Sequence, residues 1–398
     1  MELIADWIAD FDELLERIGG RFARSEARNW ASSYLRGLLS NMPRKNSWQL
    51  ADELGEANPY GIQQFLYRAR WEADEVRDDL QAYVVEHLSA EAGVLVLDET
   101  GFLKKGKHSV GVQGQYCGTA RGKANCQIGV FLTYASDQGL TFVDRALYLP
   151  ESWTSDRERC RAAGVPDGVE FATKPALGEA MLQRTLAAGV PAKWVTGDSV
   201  YGSHYPLRHY LESIPLAHVM GLSPKDTLLN LQNFPQRVSE YLSQLSQQGW
   251  SRLSAGPGAK GERWYDWLLL PLGDPDRPGW KRWLLVRRKI DQPDKITPYI
   301  CFAPAGTTLP QLVTVAGKRW TVEQCFEIAK QEVGLDEYEV RSYQGWYRHI
   351  TLAALAHAFL TVLRAKGLDP LAEIEKKTNS QPTHSMRAFK RKRGLISP

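Results

Sequence analysis

Two short apolar runs that each end in an aspartate constrain this chain more than any other feature. Val94 to Leu97 precedes Asp98, and Trp194 to Gly197 precedes Asp198. Apolar runs of four or five residues that are bounded by turn-forming residues predict central strands of a sheet. An aspartate that ends such a strand lies where the backbone leaves the core for solvent. The two carboxylates are therefore expected on neighbouring strands, at one edge of a sheet.

A third carboxylate, Glu323, lies in a much later predicted helix that contains the segment Arg319-Trp320-Thr321-Val322-Glu323. Two strand-end aspartates and a glutamate from a covering helix can hold two divalent cations roughly 4 Å apart. Such ions activate a water or a 3′-hydroxyl and stabilise the leaving oxygen of an in-line displacement. The sequence thus predicts a two-metal phosphodiester site whose catalytic metal ligands are Asp98, Asp198 and Glu323.

Each of these carboxylates also has an ordinary interpretation when it is taken alone. Asp98 could cap a strand end, Asp198 could be a turn residue, and Glu323 could be a solvated helix carboxylate. Their order and their placement on the predicted elements favour the metal site. Glu327 shares the helix face of Glu323 by its i, i+4 spacing and is the alternative ligand. Glu99 is expected on the opposite face of its strand.

Length and composition fit a globular chain with more than one structural unit. With 398 residues the chain exceeds the size that one core usually serves, so two or three units are expected. No stretch approaches the ~20 apolar residues of a membrane span, and the acidic N-terminus lacks the basic region of a secretory signal, which predicts a cytoplasmic protein. The five scattered cysteines lack metal-ligand spacing and are interpreted as small buried residues.

Residues 1–88 carry apolar positions at helical spacing and predict an all-helical N-terminal DNA-binding domain. Within it, residues 47–71 have the spacing of a helix-turn-helix, with a capped helix at Ser47–Gly55 and a second helix at Gly61–Trp71. The candidate DNA-binding residues of the second helix are Gln63, Gln64 and Arg68. Paired short helices are also common packing units in helical bundles, so that alternative stays open.

From residue 89 the pattern changes to strands and then alternates strands with helices. Residues 89–223 predict four strands, a helix, a strand, a helix and a strand, the order of a ribonuclease H-like catalytic core. The first four strands are predicted at Val94–Asp98, His108–Tyr116, Ala124–Ala135 and Phe142–Leu149. The fold class is therefore α/β (α+β), with the ribonuclease H-like core preceded by the helical N-terminal domain.

An insertion and a tail complete the predicted organisation. Residues 224–308 contain aromatic and β-branched runs between Gly and Pro turns, which predict an all-β insertion. Residues 309–368 complete the catalytic domain, with helices predicted at Leu309–Val333 and Tyr347–Ala365. The tail, residues 369–398, is strongly basic after Glu375 and is expected to be mobile until it meets phosphates.

Basic side chains occur in two turns beside the predicted metal site and in the insertion. The turn after the first catalytic strand carries Lys104, Lys105 and Lys107, and the next turn carries Arg121 and Lys123. Both turns could contact a DNA backbone, although lysines in turns are often only solvated. The candidate residues of the insertion are Trp283, Arg287 and Arg288, which suit base stacking and phosphate pairing. A packed sheet face is the alternative for the tryptophan.

Several motifs resemble one known family. They are Leu97-Asp98-Glu99-Thr100-Gly101-Phe102 with Lys104-Lys105-Gly106, Gln113-Gly114-Gln115-Tyr116-Cys117-Gly118, Gly197-Asp198-Ser199-Val200-Tyr201-Gly202, and Arg319-Trp320 through Glu323 to Lys330, Gly334 and Tyr347-Arg348-His349-Ile350. From about residue 21 to about residue 365, the chain resembles a DDE transposase of bacterial insertion sequences. The closest resemblance is to insertion-sequence family seven hundred and one, within the hairpin-forming cut-and-paste superfamily.

The resemblance implies a metal-dependent DNA endonuclease and strand transferase with two Mg²⁺ or Mn²⁺ ions per active site. It implies double-stranded DNA as partner, both transposon ends and target, a homodimer on DNA, and association with the nucleoid. Arg319 and Lys330 match the superfamily motif Tyr-x2-Arg-x3-Glu-x6-Lys, in which they hold DNA phosphates, and Trp320 falls where related enzymes have a Trp near a flipped base. Ala316 occupies the position of the motif's Tyr, so the resemblance leaves a hairpin intermediate open.

Two alternatives from other functional classes remain at this point. One is a metal-dependent nuclease on the same core that hydrolyses DNA without strand transfer. The other is a transposase-derived regulator that binds DNA through its N-terminal helices, although an intact carboxylate set argues against it.

Overall fold

The structure is a computed structural model that describes residues 2–245, 249–258 and 261–367. Its first part is entirely helical up to residue 88, as the sequence predicts. The helices are α1 (Glu2–Gly19), α2 (Ser25–Leu39), α3 (Ser47–Glu53), α4 (Tyr60–Tyr67) and α5 (Ala73–Leu88). Asn46 caps α3 by accepting hydrogen bonds from the backbone N–H groups of Trp48 and Gln49, which satisfies donors that have no partner within the helix.

The central sheet begins with six strands in a ribonuclease H-like arrangement. They are β1 (Val94–Leu103), β2 (Gln113–Cys117), β3 (Gly122–Ala135), β4 (Leu140–Tyr148), β5 (Trp194–Gly197) and β6 (Ala217–Gly221). β3 pairs antiparallel with β1, β2 and β4, whereas β1, β5 and β6 are parallel neighbours. Val94 to Leu97 are buried, which explains their unbroken apolar sequence, since a central parallel strand is covered on both faces.

Helices connect these strands. They are α6 (Glu151–Thr154), α7 (Arg157–Ala162), α8 (Lys174–Ala187), α9 (Ser199–Gly202) and α10 (Tyr205–Ser213). Thr173 caps α8 and Asp198 caps α9 through their side chains. The connections from β4 to β5 and from β5 to β6 therefore run through helices, as the predicted element order requires.

The predicted insertion extends the same sheet. Its elements are β7 (Thr227–Leu229), β8 (Pro235–Arg237), α11 (Val238–Ser243), β9 (Ser251–Gly258), β10 (Gly261–Pro271), β11 (Trp280–Arg288) and β12 (Ile296–Pro304). β12 pairs antiparallel with β6, and the sheet continues through β11 and β10 to β9. β7 and β8 form a separate two-stranded sheet. The insertion is mainly β, as predicted, but the short helix α11 shows that it is not entirely so.

Two long helices follow, α12 (Leu309–Glu332) and α13 (Tyr343–Ala365). α12 packs against β1, β5 and β9, and α13 packs against β4 and against α1, α2, α4 and α5. The side chains of α13 are buried almost throughout, because the N-terminal helices cover the face that the sheet leaves open. The N-terminal helices and the catalytic core thus share one hydrophobic core.

Four element boundaries differ from the prediction by more than two residues. β1 continues to Leu103 because its outer half pairs with β3. β2 begins only at Gln113, since Val110 donates its N–H to the carbonyl of Arg341 and Gly111 has a φ of +75°. α4 ends at Tyr67 and not at Trp71, and α13 begins at Tyr343, where Ser342 caps it. The changes in β1 and β2 arise from partners that are distant in sequence, whereas the start of α13 is set by its own neighbouring cap.

Within the described residues, the structure contains no helix that is long and apolar enough to span a membrane.

Candidate active site

The two aspartates predicted as metal ligands come directly after the stretch in which β1 and β5 are paired. Asp198 follows the end of β5, whereas Asp98 lies within β1 and not at its end, because β1 continues along β3 to Leu103. Leu97 of β1 lies opposite Gly197 of β5 in the parallel ladder. Asp98 and Asp198 are the next residues, so their carboxylates leave the sheet side by side. Asp98 is largely buried, with 14% of its side chain exposed, and both residues line one open cleft of about 640 Å³.

The third carboxylate enters the cleft from α12. A capping box between Thr308 and Gln311 starts this helix. The residues Val322, Cys325, Phe326 and Ala329 are buried, at the i, i+3, i+4 and i+7 spacing of one helix face. Glu323 and Glu327 flank that buried face, and both line the cleft. The helix therefore holds the predicted ligand and its alternative beside the two strand ends.

An arginine lies between the carboxylates. Arg319 Nη1 is 3.7 Å from Asp98 Oδ2, and Arg319 Nη2 is 3.7 Å from Glu323 Oε1. Among the described residues, the oxygens of Asp98, Asp198 and Glu323 do not form a group whose members all lie within 4.8 Å of one another. The guanidinium thus partly compensates the negative charge that the cleft concentrates.

The surroundings of the two aspartates nonetheless disfavour their ionised forms. The pKa of Asp98 is raised to about 7, mainly by burial; Arg319 offsets part of the rise, and the charges of Asp198 and Glu99 add to it. Burial and the Glu99 charge also raise the pKa of Asp198, although the N–H of Val200 stabilises its anion. Carboxylates held in this way favour a bound cation. The donors are all oxygens, which fits Mg²⁺ or Mn²⁺.

Glu99, expected on the opposite face of β1, lines the same cleft as the two aspartates. Its carboxylate accepts hydrogen bonds of 2.7 Å from Lys174 Nζ and from the hydroxyl of Tyr201. Sequence reasoning missed Lys174, because nothing in its local sequence distinguishes the first residue of α8 from a solvated lysine. Tyr201 lies in a motif that was recognised, but its contact with Glu99 depends on how α9 packs.

Lys330 lies on the same side of α12 as Glu323, and its ammonium is held over the cleft. Lys330 Nζ donates to Thr100 Oγ1 at 2.9 Å and to Thr119 Oγ1 at 3.3 Å. Burial lowers the pKa of Lys330. Trp320, the neighbour of Arg319, is 40% exposed. The structure thus brings Lys330 and Arg319 together with the three carboxylates, and leaves the Trp320 ring accessible to a ligand.

Among the basic residues of the two turns, Lys104 differs from the others because its side chain contacts another part of the protein. Lys104 Nζ lies 3.5 Å from the ring centroid of Tyr338 and donates to its carbonyl at 3.1 Å. Burial lowers the pKa of Lys104 to about 8, so this residue is a weaker candidate for a phosphate contact. The other four candidates, Lys105, Lys107, Arg121 and Lys123, are exposed.

The candidate residues of the insertion are engaged in contacts within the sheet. Trp283 is half-buried against the core. Arg287 stacks 4.6 Å from the ring centroid of Tyr265 and donates to Thr297. Arg288 pairs with Asp266 at 3.3 Å and lies over Trp250. These contacts favour the packed sheet face for Trp283, and they leave less of each arginine available to DNA.

The second helix of the predicted helix-turn-helix presents a polar face to solvent. Gln64 and Arg68 are exposed, whereas Gln63 is half-buried. Arg348 of α13 donates to the carbonyls of Leu66, Ala69 and Trp71, which anchors the end of α4 to the core. The basic tail, residues 369–398, lies outside the described residues.

Two comparisons with known proteins show what this chain is similar to. A family model described as "DDE superfamily endonuclease" matches residues 15–242, a range that includes Asp98 and Asp198. The chain is also similar to a protein of Microchaete diplosiphon named "Probable transposase for insertion sequence element IS701". The two are 26% identical over 326 residues, which span 77% of this chain and 75% of that protein.

Proposed function

The chain belongs to the DDE superfamily endonucleases, and from that membership we propose that it is a DNA transposase. It binds the ends of an insertion sequence, cleaves DNA strands there, and transfers the freed ends to target DNA. The observation that carries this proposal is the in-register pair Asp98 and Asp198, faced by Glu323 across one cleft. Carboxylates that line an open cleft in this way suit a phosphodiester that approaches from solvent.

Asp98, Asp198 and Glu323 are the proposed metal ligands, with two Mg²⁺ or Mn²⁺ ions per site. When bound, the ions supply Lewis acidity for the attacking and leaving oxygens of each in-line displacement. The raised pKa values of the two aspartates support this assignment, because uncompensated buried carboxylates are what a cation stabilises. Glu327 remains the alternative to Glu323 on the same helix face.

The chain's own cations position the DNA in this proposal. Arg319, which lies between Asp98 and Glu323, turns from these carboxylates toward a backbone phosphate near the scissile bond. Lys330 is already aimed into the cleft by Thr100 and Thr119, so it can donate to a phosphate oxygen without a large rearrangement. The exposed ring of Trp320 offers a stacking surface for an unpaired base.

The N-terminal residues 1–88 are the proposed end-recognition part, with α4 as the reading helix and Gln64 and Arg68 as its accessible side chains. In a helix-turn-helix the second helix enters the major groove. Arg348 fixes α4 to α13, so DNA bound by α4 has a defined orientation toward the cleft. A homodimer that holds two ends together completes the proposal.

The test is a cleavage assay with labelled duplex that carries the element's end, with Mg²⁺ or with EDTA. We expect metal-dependent nicks at the element boundary, and strand-transfer products when target duplex is added. Asp98→Asn should abolish cleavage while end binding stays within about twofold of wild type. The matched control is Asp137→Asn, an exposed aspartate in the turn between β3 and β4, which should cleave like wild type.

The products separate this proposal from its alternatives. Nicks without any strand-transfer product would indicate a nuclease. End binding without any metal-dependent product would indicate a regulator. Wild-type cleavage rates from Asp98→Asn would refute the assigned role of Asp98.

A further inference from the structure

A second pocket, separate from the catalytic cleft, concentrates positive charge. It has a volume of about 610 Å³ and lies between the loop that follows β1, the helix α7 and the segment that precedes α13. Its basic lining is Lys107, His108, Arg159, Arg161 and Arg341. We refer to this group as the basic pocket. Its lining includes no aspartate or glutamate.

Two of these cations are available to a ligand. Lys107 and Arg341 are exposed, and within residues 2–245, 249–258 and 261–367 neither side chain has an ion-pair partner. Arg161 is different, because its Nε donates to Asp167 at 3.0 Å at the rim of the pocket. The excess positive charge therefore comes mainly from Lys107, Arg341 and Arg159. An uncompensated group of this kind attracts an anion.

Arg159 is held in place before any ligand binds. Its guanidinium carbon lies 3.7 Å from the ring centroid of the buried Trp153. Arg159 Nη2 donates to the carbonyl of Lys107 at 3.2 Å and to that of Val112 at 3.4 Å. The planar guanidinium is thus fixed on both sides, and little rotamer entropy remains to be lost when another of its nitrogens contacts an anion.

The position of the basic pocket connects two parts of the molecule. Tyr67, the last residue of α4, lines the pocket, and its side chain is 43% exposed. On the other side, Lys107 belongs to the loop that continues from β1, the strand that carries Asp98. The hydrogen bond of 2.9 Å from Val110 N–H to the carbonyl of Arg341 ties this loop to the segment before α13.

We propose that the basic pocket binds backbone phosphates of duplex DNA that extends from α4 toward the catalytic cleft. This inference rests on the proposed function, because it assumes that α4 and the cleft engage one DNA. A duplex carries one negative charge per ~1.7 Å of its axis, and so presents several phosphates to an open pocket. The cations of the pocket suit contacts with phosphates, which fix the position of a duplex and do not specify its sequence.

The experiment measures duplex binding by the full chain in EDTA, which prevents cleavage. The probe is a fluorescein-labelled 30-bp duplex of unrelated sequence, followed by anisotropy across a salt series. The pocket variant is Lys107→Ala with Arg341→Ala, two exposed residues whose loss should not disturb folding. The control is Lys193→Ala with Lys281→Ala, which removes the same charge from lysines paired with Glu91 and Asp274.

The slope of log K against log salt is negative, and each lost phosphate contact reduces its magnitude by about 0.9. Relative to 1 M salt, this corresponds to binding that is about 8-fold weaker at 0.1 M salt. We therefore expect the pocket variant to lose about 1.8 in slope and to bind roughly 60-fold more weakly. The control variant should stay near wild type. The same loss on a duplex that carries the element's end would assign the pocket to end binding, whereas a loss confined to the unrelated duplex would assign it to target DNA.

Two results would overturn the inference, and they have different meanings. If wild type binds DNA and the pocket variant keeps both its slope and its affinity, the basic pocket does not contact phosphates, while the proposed function stands. If wild type binds neither duplex at any salt concentration, the inference and the proposed function fail together.

Discussion

Asp98→Asn should stabilise the metal-free protein even though it destroys the proposed active site. Asn has nearly the shape of Asp and carries no charge. The substitution therefore removes an anion that burial and the neighbouring carboxylates disfavour. Asp98 is buried beside Asp198 and Glu99, and among the described residues the counter-charge that approaches it is Arg319, at 3.7 Å. The substitution therefore tests whether the carboxylates destabilise the metal-free protein, as is expected of residues that are positioned to bind a cation.

The magnitude follows from the pKa of Asp98, which rises from 3.8 to about 7 in the folded protein. The folded state then binds the proton more tightly than the unfolded state does, so stability falls as the pH rises from about 4 to about 7 and stays low above that range. At about 1.4 kcal/mol per pKa unit, the ionised carboxylate costs up to about 4 kcal/mol at pH 8. Since Asn also loses the contact with Arg319, we expect a net gain of roughly 2–4 kcal/mol.

The assay is thermal unfolding in EDTA at pH 8 and at pH 5. For a chain of this length, 1 kcal/mol corresponds to about 1 °C, so Asp98→Asn should melt roughly 2–5 °C above wild type at pH 8. The difference should shrink to less than half at pH 5, where Asp98 is protonated in the folded wild type. Mg²⁺ at a hundredfold excess over its Kd should stabilise wild type by about 2.7 kcal/mol and the variant by much less.

The control variant is again Asp137→Asn, whose carboxylate is exposed and should leave the melting temperature unchanged in both buffers. If the Asp98→Asn protein melts at or below the temperature of wild type at pH 8, the ionised Asp98 carboxylate does not destabilise the folded protein. The assignment of Asp98 as a cation ligand would then lose its physical support.

Three further predictions test other parts of the molecule. Lys330→Ala removes the donor held by Thr100 and Thr119 and should lower the cleavage rate about 100-fold with little change in end binding, measured by single-turnover kinetics. Arg348→Met leaves three carbonyls at the end of α4 without their donor; chemical denaturation should show a loss of about 3–5 kcal/mol. Deletion of residues 376–398 removes seven Lys and Arg and should weaken binding to all sequences, lowering the salt slope by up to about 6.

The strands that carry the two aspartates could be predicted from the sequence, because the signal is local. Val94–Leu97 and Trp194–Gly197 are apolar runs that only a covered strand accommodates. The placement of Glu323 and Lys330 on one face of α12 could also be predicted, since helical periodicity relates the face of a residue to its position in sequence. The ribonuclease H-like order of elements followed from these patterns.

The behaviour of the insertion could not be predicted in the same way. Its strands were evident, but their pairing with β6 was not, and neither was the engagement of Arg287 with Tyr265 and of Arg288 with Asp266. Such contacts depend on cross-strand register, which brings together residues that no local pattern relates. The second helix of the helix-turn-helix was predicted too long for a similar reason. Arg348, which is far along the chain, donates hydrogen bonds to the carbonyls at the end of α4.

The sequence by itself determined which runs form strands, which residues share a helix face, and therefore which carboxylates could act together. The tertiary structure decided that Leu97 lies opposite Gly197, which places Asp98 beside Asp198. It also decided that Arg319 lies between Asp98 and Glu323, and that Glu99, which lines the same cleft, accepts hydrogen bonds from Lys174 and Tyr201. Periodicity is set by bond geometry within a few residues, whereas charge pairing is set by packing between elements up to hundreds of residues apart.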